Sequence, residues 1–184
     1  KRLEAGKYLG LNPHYFNEFA VPIQVKGWIN FLPADEPVVH LADTLLSIAG
    51  ALDGQNSYSI FVPPFSVGSL RLRWFNTGGL PLQIFKLSSH QHQRGTHFAA
   101  WASDGTKVFE NFDWAHPAIL EFPEPYVLAP GDYVEYQCDY DNGVTRPVRR
   151  CGDSRFDTGC TSGDPRAVTF GTTAQDEMCF LTGF

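Results

Sequence analysis

From about Val38 onward the chain is a succession of short alternating runs cut by Gly, Pro, Asn and Asp, and this spacing limits the fold more than any other feature. SYSIFVPPFSVGSLRLRWFNTGG, LPLQIFKLSSHQHQ, HFAAWASDG, KVFENF, AILEF, DYVEYQCDYDN, RAVTFGTT and MCFLTGF follow one another with turn signals at roughly ten-residue intervals. Runs of that length, alternating apolar and polar, suit half-buried strands. They predict an all-β protein, an antiparallel β-sandwich of jelly-roll type. LADTLLSIAGAL fits a helix or a strand by its apolar spacing, and the strand is preferred because the next segment alternates so cleanly. Ahead of Val38 only one strand-like run is present, Ile23 to Leu32, between proline-bounded turns. Residues 1–37 therefore read as a separate tail or linker and residues 38–184 as the sandwich domain.

Composition agrees with a single folded β domain. Fifteen Phe, seven Tyr and four Trp beside 17 Gly and 13 Pro suit many strands joined by tight turns. With 43% hydrophobic and 18% charged residues, the chain can bury a core and does not read as disordered. A net charge of −6 with no basic run argues against nucleic acid as partner. No apolar stretch approaches the roughly 20 residues that span a bilayer as a helix. Starting at Lys1 without Met or signal peptide, the chain reads as a mature or cleaved fragment.

Cys138, Cys151, Cys160 and Cys179 allow three connectivities, and sequence alone does not choose among them. Cys151 and Cys160 flank a Gly/Asp/Ser-rich loop, CGDSRFDTGC, whereas Cys138 and Cys179 lie in strand-like runs. That placement favours Cys138–Cys179 and Cys151–Cys160. A four-cysteine zinc site lacks its usual CxxC spacing. Two disulfides imply an extracellular or periplasmic, secreted location.

The candidate chemistry lies in His90 and His92, one residue apart in SSHQHQRGTHF, and in the only methionine, Met178, in QDEMCF. On a strand, residues two apart share a face, so both imidazoles can converge on one ion. A thioether is soft and selects copper, particularly Cu(I), over zinc, magnesium or calcium. Two imidazoles and a thioether also leave positions open for oxygen or substrate, as a catalytic centre needs.

The segments LSSHQHQRGTHF, WAHPAILEFPEPYVLAPGDYVEYQCDYDN and GTTAQDEMCFLTGF resemble the C-terminal domain of the copper type II, ascorbate-dependent monooxygenases. That family includes peptidylglycine α-hydroxylating and dopamine β-monooxygenases, and the resemblance runs from about Val38 to Phe184. It implies a jelly-roll-type sandwich, with His90, His92 and Met178 as ligands of the oxygen-activating copper. It also implies a bridge from Cys179 to Cys138. Ascorbate would be the reductant, and an activated C–H bond of a small-molecule substrate would be hydroxylated. A second copper, held by three histidines of a preceding domain, would store an electron. Asn12-Pro13-His14-Tyr15 looks like the end of that domain, which makes His14 a remnant ligand of the second site. The expected partners are that upstream copper domain or other extracellular subunits.

The chain departs from the peptide-amidating enzyme at the substrate grip. That enzyme holds a peptide carboxylate with an arginine two residues before the first histidine and a tyrosine four after the methionine. Ser88 and Thr182 occupy those positions here, and neither forms the charge-assisted bond a carboxylate wants. Peptide amidation is not expected.

Other residues have structural readings. Arg94 could grip a substrate carboxylate but reads first as a solvated turn arginine; His97 could be a fourth ligand or support one but reads as lying off the site; His116 reads as part of a turn. Asp176 and Glu177 are candidates to orient a ligand histidine through its other ring nitrogen, or else form a solvated acidic turn. Trp101, Trp114 and Tyr136 read as core or rim aromatics. Arg146, Arg149 and Arg150 read as surface ion-pairing groups. A cupin expects glutamate at His97 and a histidine after Ala129-Pro130-Gly131-Asp132, which is absent. A blue-copper carrier needs a late histidine, and none follows His116. The rival that remains is a secreted, non-catalytic structural or copper-binding module with the same sandwich.

Overall fold

A computed structural model describes residues 21–30, 43–48, 60–146, 149–150, 161–162, 166–172 and 176–184. The strands in chain order are β1 (Leu45–Ile48), β2 (Phe61–Val62), β3 (Ser66–Phe75), β4 (Leu82–His90), β5 (Gly95–Ala102) and β6 (Lys107–Asn111). They continue with β7 (Ile119–Leu128), β8 (Tyr133–Asn142), β9 (Arg149–Arg150), β10 (Thr161–Ser162), β11 (Val168–Thr169) and β12 (Phe180–Gly183). The described residues contain no helix, and every strand pairing is antiparallel. The protein is all-β, as the alternation predicts.

Two four-stranded sheets make the sandwich, in the orders β1-β12-β4-β7 and β3-β8-β5-β6. Their inner faces meet in one core. Leu45, Ile84, Leu87 and Leu181 come from the first sheet; Phe98, Ala100, Phe109, Val134, Tyr136 and Tyr140 come from the second. On β8 the period is plain: Val134, Tyr136, Cys138 and Tyr140 are buried, while Tyr133, Glu135, Gln137 and Asp139 face outward. Burying each large side chain contributes about 1.5–3 kcal/mol. The Cys138–Cys179 disulfide then ties the second sheet to the segment entering β12 of the first. Cys151 and Cys160 lie outside the described residues.

Two local features go beyond the sequence reading. The AILEF run extends through Pro123 and Pro125 to Leu128 as one strand. It is an edge strand, and its pairing with β4 is irregular between Ile84 and Lys86, so both prolines fall in the stretch without ladder partners. Residues 21–30 form no strand, and Val21, Ile23, Val25, Trp28 and Ile29 are exposed there. Alternation confers strand propensity, but a strand exists only as part of a ladder. The boundary at residues 37 and 38 lies outside the described residues.

Candidate metal centre

β4 belongs to the first sheet and β5 to the second, so residues 91–94 carry the chain across the end of the sandwich. His90 is the last residue of β4, and His92 sits in this crossover. The two histidines therefore do not share a strand, and their proximity has another cause. Their rings are perpendicular, with centroids 5.1 Å apart. With metal–nitrogen bonds of about 2.0 Å, two imidazoles on one tetrahedral ion hold their centroids about 5 Å apart. The observed spacing fits a shared ion.

Several contacts fix the crossover. The Glu177 carboxylate accepts the backbone N–H of His92 at 2.9 Å and that of Arg94 at 2.7 Å. The Arg146 guanidinium donates to the carbonyls of Gln93 (2.9 Å) and Gly95 (3.0 Å). Asp141 N–H donates to the Arg94 carbonyl at 2.9 Å. His92 itself is oriented by the Asp176 carbonyl, 3.0 Å from Nδ1. A carbonyl only accepts, so Nδ1 carries the proton and the lone pair resides on Nε2, the nitrogen suited to a metal. His92 is buried, whereas His90 is half-buried beside Phe180, with ring centroids 5.6 Å apart. Phe170 continues this aromatic edge, 6.3 Å from Phe180.

Met178 reaches the same end of the sandwich from the other side. In the β4–β12 ladder Phe180 is opposite His90, and Met178 directly follows Glu177, whose carboxylate accepts the His92 backbone N–H. Its side chain is buried, its carbonyl accepts the Tyr140 hydroxyl at 2.9 Å, and the next residue is bridged to Cys138. Thus β4, its crossover and the approach to β12 bring His90 and His92 together and place the chain next to Met178 against His92. His14 lies outside the described residues. Among the described residues, no three His, Cys, Asp or Glu side chains gather to hold an ion. A set of two imidazoles and a thioether is of a different kind from such a cluster.

Arg94 corrects the sequence reading. Its side chain is buried, and its Nε donates to Asn142 Oδ1 at 3.1 Å. Burial lowers its pKa, against the pull of the nearby Glu177 charge. Glu177 is wholly buried; burial pushes its carboxyl up to about 7, while the backbone N–H groups of Arg94 and His92 and the Arg94 charge pull it down. A buried polar network of this kind is worthwhile only when its members are satisfied. Asn142 completes it by donating to the carbonyls of Val62, Pro63 and Arg166. Arg146 also differs from its expected surface role, since it binds backbone carbonyls of the crossover. The side chains of Arg149 and Arg150 lie outside the description.

The remaining candidates fall elsewhere. His97 faces outward on the second sheet, between Asp139 (2.8 Å) and Glu110 (3.1 Å), and stacks on Phe112. Burial raises the Asp139 carboxyl, but hydrogen bonds from Ser69, His97 and Gln137 outweigh it and hold the pKa low. His116 is exposed in a turn against Asp113. Tyr136 is core; Trp101 is partly covered by Arg71, 4.7 Å from its ring. Ser88 and Thr182 are ladder partners two rungs from the His90–Phe180 pair, and Ser88 Oγ donates to the Ala118 carbonyl. Sequence reasoning missed the roles of Arg146 and Tyr140, because no local pattern links them to residues about 40 to 50 positions away. Compared with known families and curated proteins, the chain matches no family model and no curated relative.

Proposed function

We propose that this domain binds copper at His90, His92 and Met178 and is the oxygen-activating half of a secreted, ascorbate-dependent monooxygenase with the jelly-roll form of the sandwich. The observation that carries the reading is the perpendicular His90–His92 pair, 5.1 Å apart, with His92 held by Asp176 and Glu177, the two residues before Met178. The donors match the ion. A thioether favours Cu(I), and imidazole serves both copper oxidation states.

Bound copper supplies oxygen activation by one-electron chemistry, with ascorbate as reductant. The chain supplies the setting. Asp176 holds the His92 proton on Nδ1, so Nε2 presents its lone pair. His90 stands half-buried at the lip of the site, where a small-molecule substrate with an activated C–H bond reaches it. Phe180 and Phe170 give that lip an apolar wall that excludes water. An upstream copper domain or another extracellular subunit completes electron supply. The Cys138–Cys179 disulfide fits an oxidising, extracellular setting. Among the described residues no helix is long and apolar enough to cross a membrane.

The test is copper stoichiometry on the intact chain under reducing conditions, for wild type, His92→Ala and Met178→Ala. One copper per chain is expected for wild type, lost or strongly weakened in both variants. Absence of tight copper in wild type contradicts the proposal and leaves a non-catalytic extracellular module.

A further inference from the structure

Glu177 is an unusual residue for the end of a β-sandwich. Its side chain is wholly buried, and burying a carboxylate is costly unless it gains specific partners. Its two oxygens take separate backbone donors, the N–H of His92 on Oε2 and the N–H of Arg94 on Oε1. Both donors lie beyond the last residue of β4 and ahead of β5, where the sheets provide no ladder carbonyl for them. One carboxylate thus replaces two ladder bonds and sets the path of the chain through His92.

The backbone of Glu177 is fixed in turn: its N–H donates to the Thr169 carbonyl at 3.0 Å, and its carbonyl accepts Gly171 N–H at 3.2 Å. Its neighbour on one side, Asp176, holds the His92 ring through its carbonyl, and its neighbour on the other is Met178. Three consecutive residues therefore hold the His92 backbone, hold the His92 ring and supply the thioether.

We infer that Glu177 is the positioning residue of the site, fixing His92 relative to Met178 by bridging the backbone N–H groups of His92 and Arg94. The inference rests on the copper reading for its purpose, but its geometry does not depend on a bound ion. Gln in place of Glu177 keeps the shape while offering one accepting oxygen and an NH2 group, so one of the two N–H groups faces a donor. The crossover then loosens, and His92 loses its hold on the Asp176 carbonyl.

The experiment uses the full chain carrying Glu177→Gln, read in two ways. In the metal-free protein, nitrogen NMR of the His92 imidazole is expected to show one tautomer, protonated on Nδ1, in wild type and a mixture in the variant. With Cu(I) alone as probe, affinity by competition with a chelator is expected to fall about 10–100-fold, with the disulfide and sandwich retained. A variant that keeps the single tautomer overturns the inference, whether or not wild type binds copper. A mixed tautomer in the variant, with a wild type that binds no copper, supports the positioning role and overturns the copper reading instead. Unchanged Cu(I) affinity in a folded variant also overturns the inference. Should Glu177→Gln not fold, Glu177→Asp, which withdraws the carboxylate by one methylene, carries the same expectations.

Discussion

Ser88 and Thr182 face each other directly across the β4–β12 ladder, two rungs from His90 and Phe180 and so on the same face of the sheet. Both side chains are small and neutral, and the neighbouring Lys86 is engaged by Glu121 and lies over the Phe184 ring. A substrate beside His90 therefore meets hydroxyls here. The chain is expected to bind a peptide with a free terminal carboxylate no better than the matching amide, measured by calorimetry on the copper-loaded protein. Ser88→Arg adds a charge-assisted donor worth about 1.5–3 kcal/mol, so preference for the carboxylate should rise about tenfold or more. Strong carboxylate preference in wild type would show that another cation serves the site.

The Cys138–Cys179 bridge closes a long loop, with a sequence separation of 41, and holds the residue next to Met178. Loop-closure entropy gives it about 4 kcal/mol of stabilisation. Replacing both cysteines by alanine should lower the thermal midpoint by about 10 °C in calorimetry. The same variant should bind Cu(I) more weakly, since Met178 loses a covalent anchor one residue away. A variant with wild-type copper affinity would separate the bridge from the site.

Tyr136 lies in the core with its hydroxyl 2.9 Å from Ser47 Oγ. Burial pushes its pKa up to about 12, with the Ser47 hydrogen bond pulling slightly the other way. The unfolded chain ionises this phenol near pH 10, so above that pH unfolding releases a proton that the folded protein keeps. Stability should therefore fall between about pH 10 and 12, by about 2–3 kcal/mol from this group. Burial also raises Tyr140, which adds a fall of the same sign. Urea unfolding across this range should show a shallower decline for Tyr136→Phe; an identical decline would remove Tyr136 as a source.

Much of the sandwich was legible because a half-buried strand prints its burial period on the sequence, as Val134, Tyr136, Cys138 and Tyr140 do on β8. The Cys138–Cys179 pairing was legible for the same reason, since both cysteines lay in strand-like runs. Residues 21–30 carried the same kind of pattern without forming a strand, because ladder pairing is not local. At the candidate site, the histidine pair and the methionine stood out by chemistry, but the basis of the histidines' approach did not. A same-face argument assumed one continuous strand, whereas β4 ends at His90 and His92 is held by Glu177 and Asp176. Arg94 looked solvated because its partners, Asn142 and Glu177, are distant in sequence. Long-range polar bonds have no period, so they appear only once the chain is folded.

The most direct test is X-ray absorption on the Cu(I)-loaded intact chain, compared with Met178→Ala. A sulfur scatterer at about 2.3 Å together with imidazole scattering at about 2.0 Å is expected in wild type, and the sulfur should vanish in the variant. Copper held without sulfur, or sulfur scattering that survives Met178→Ala, would contradict a centre built from His90, His92 and Met178.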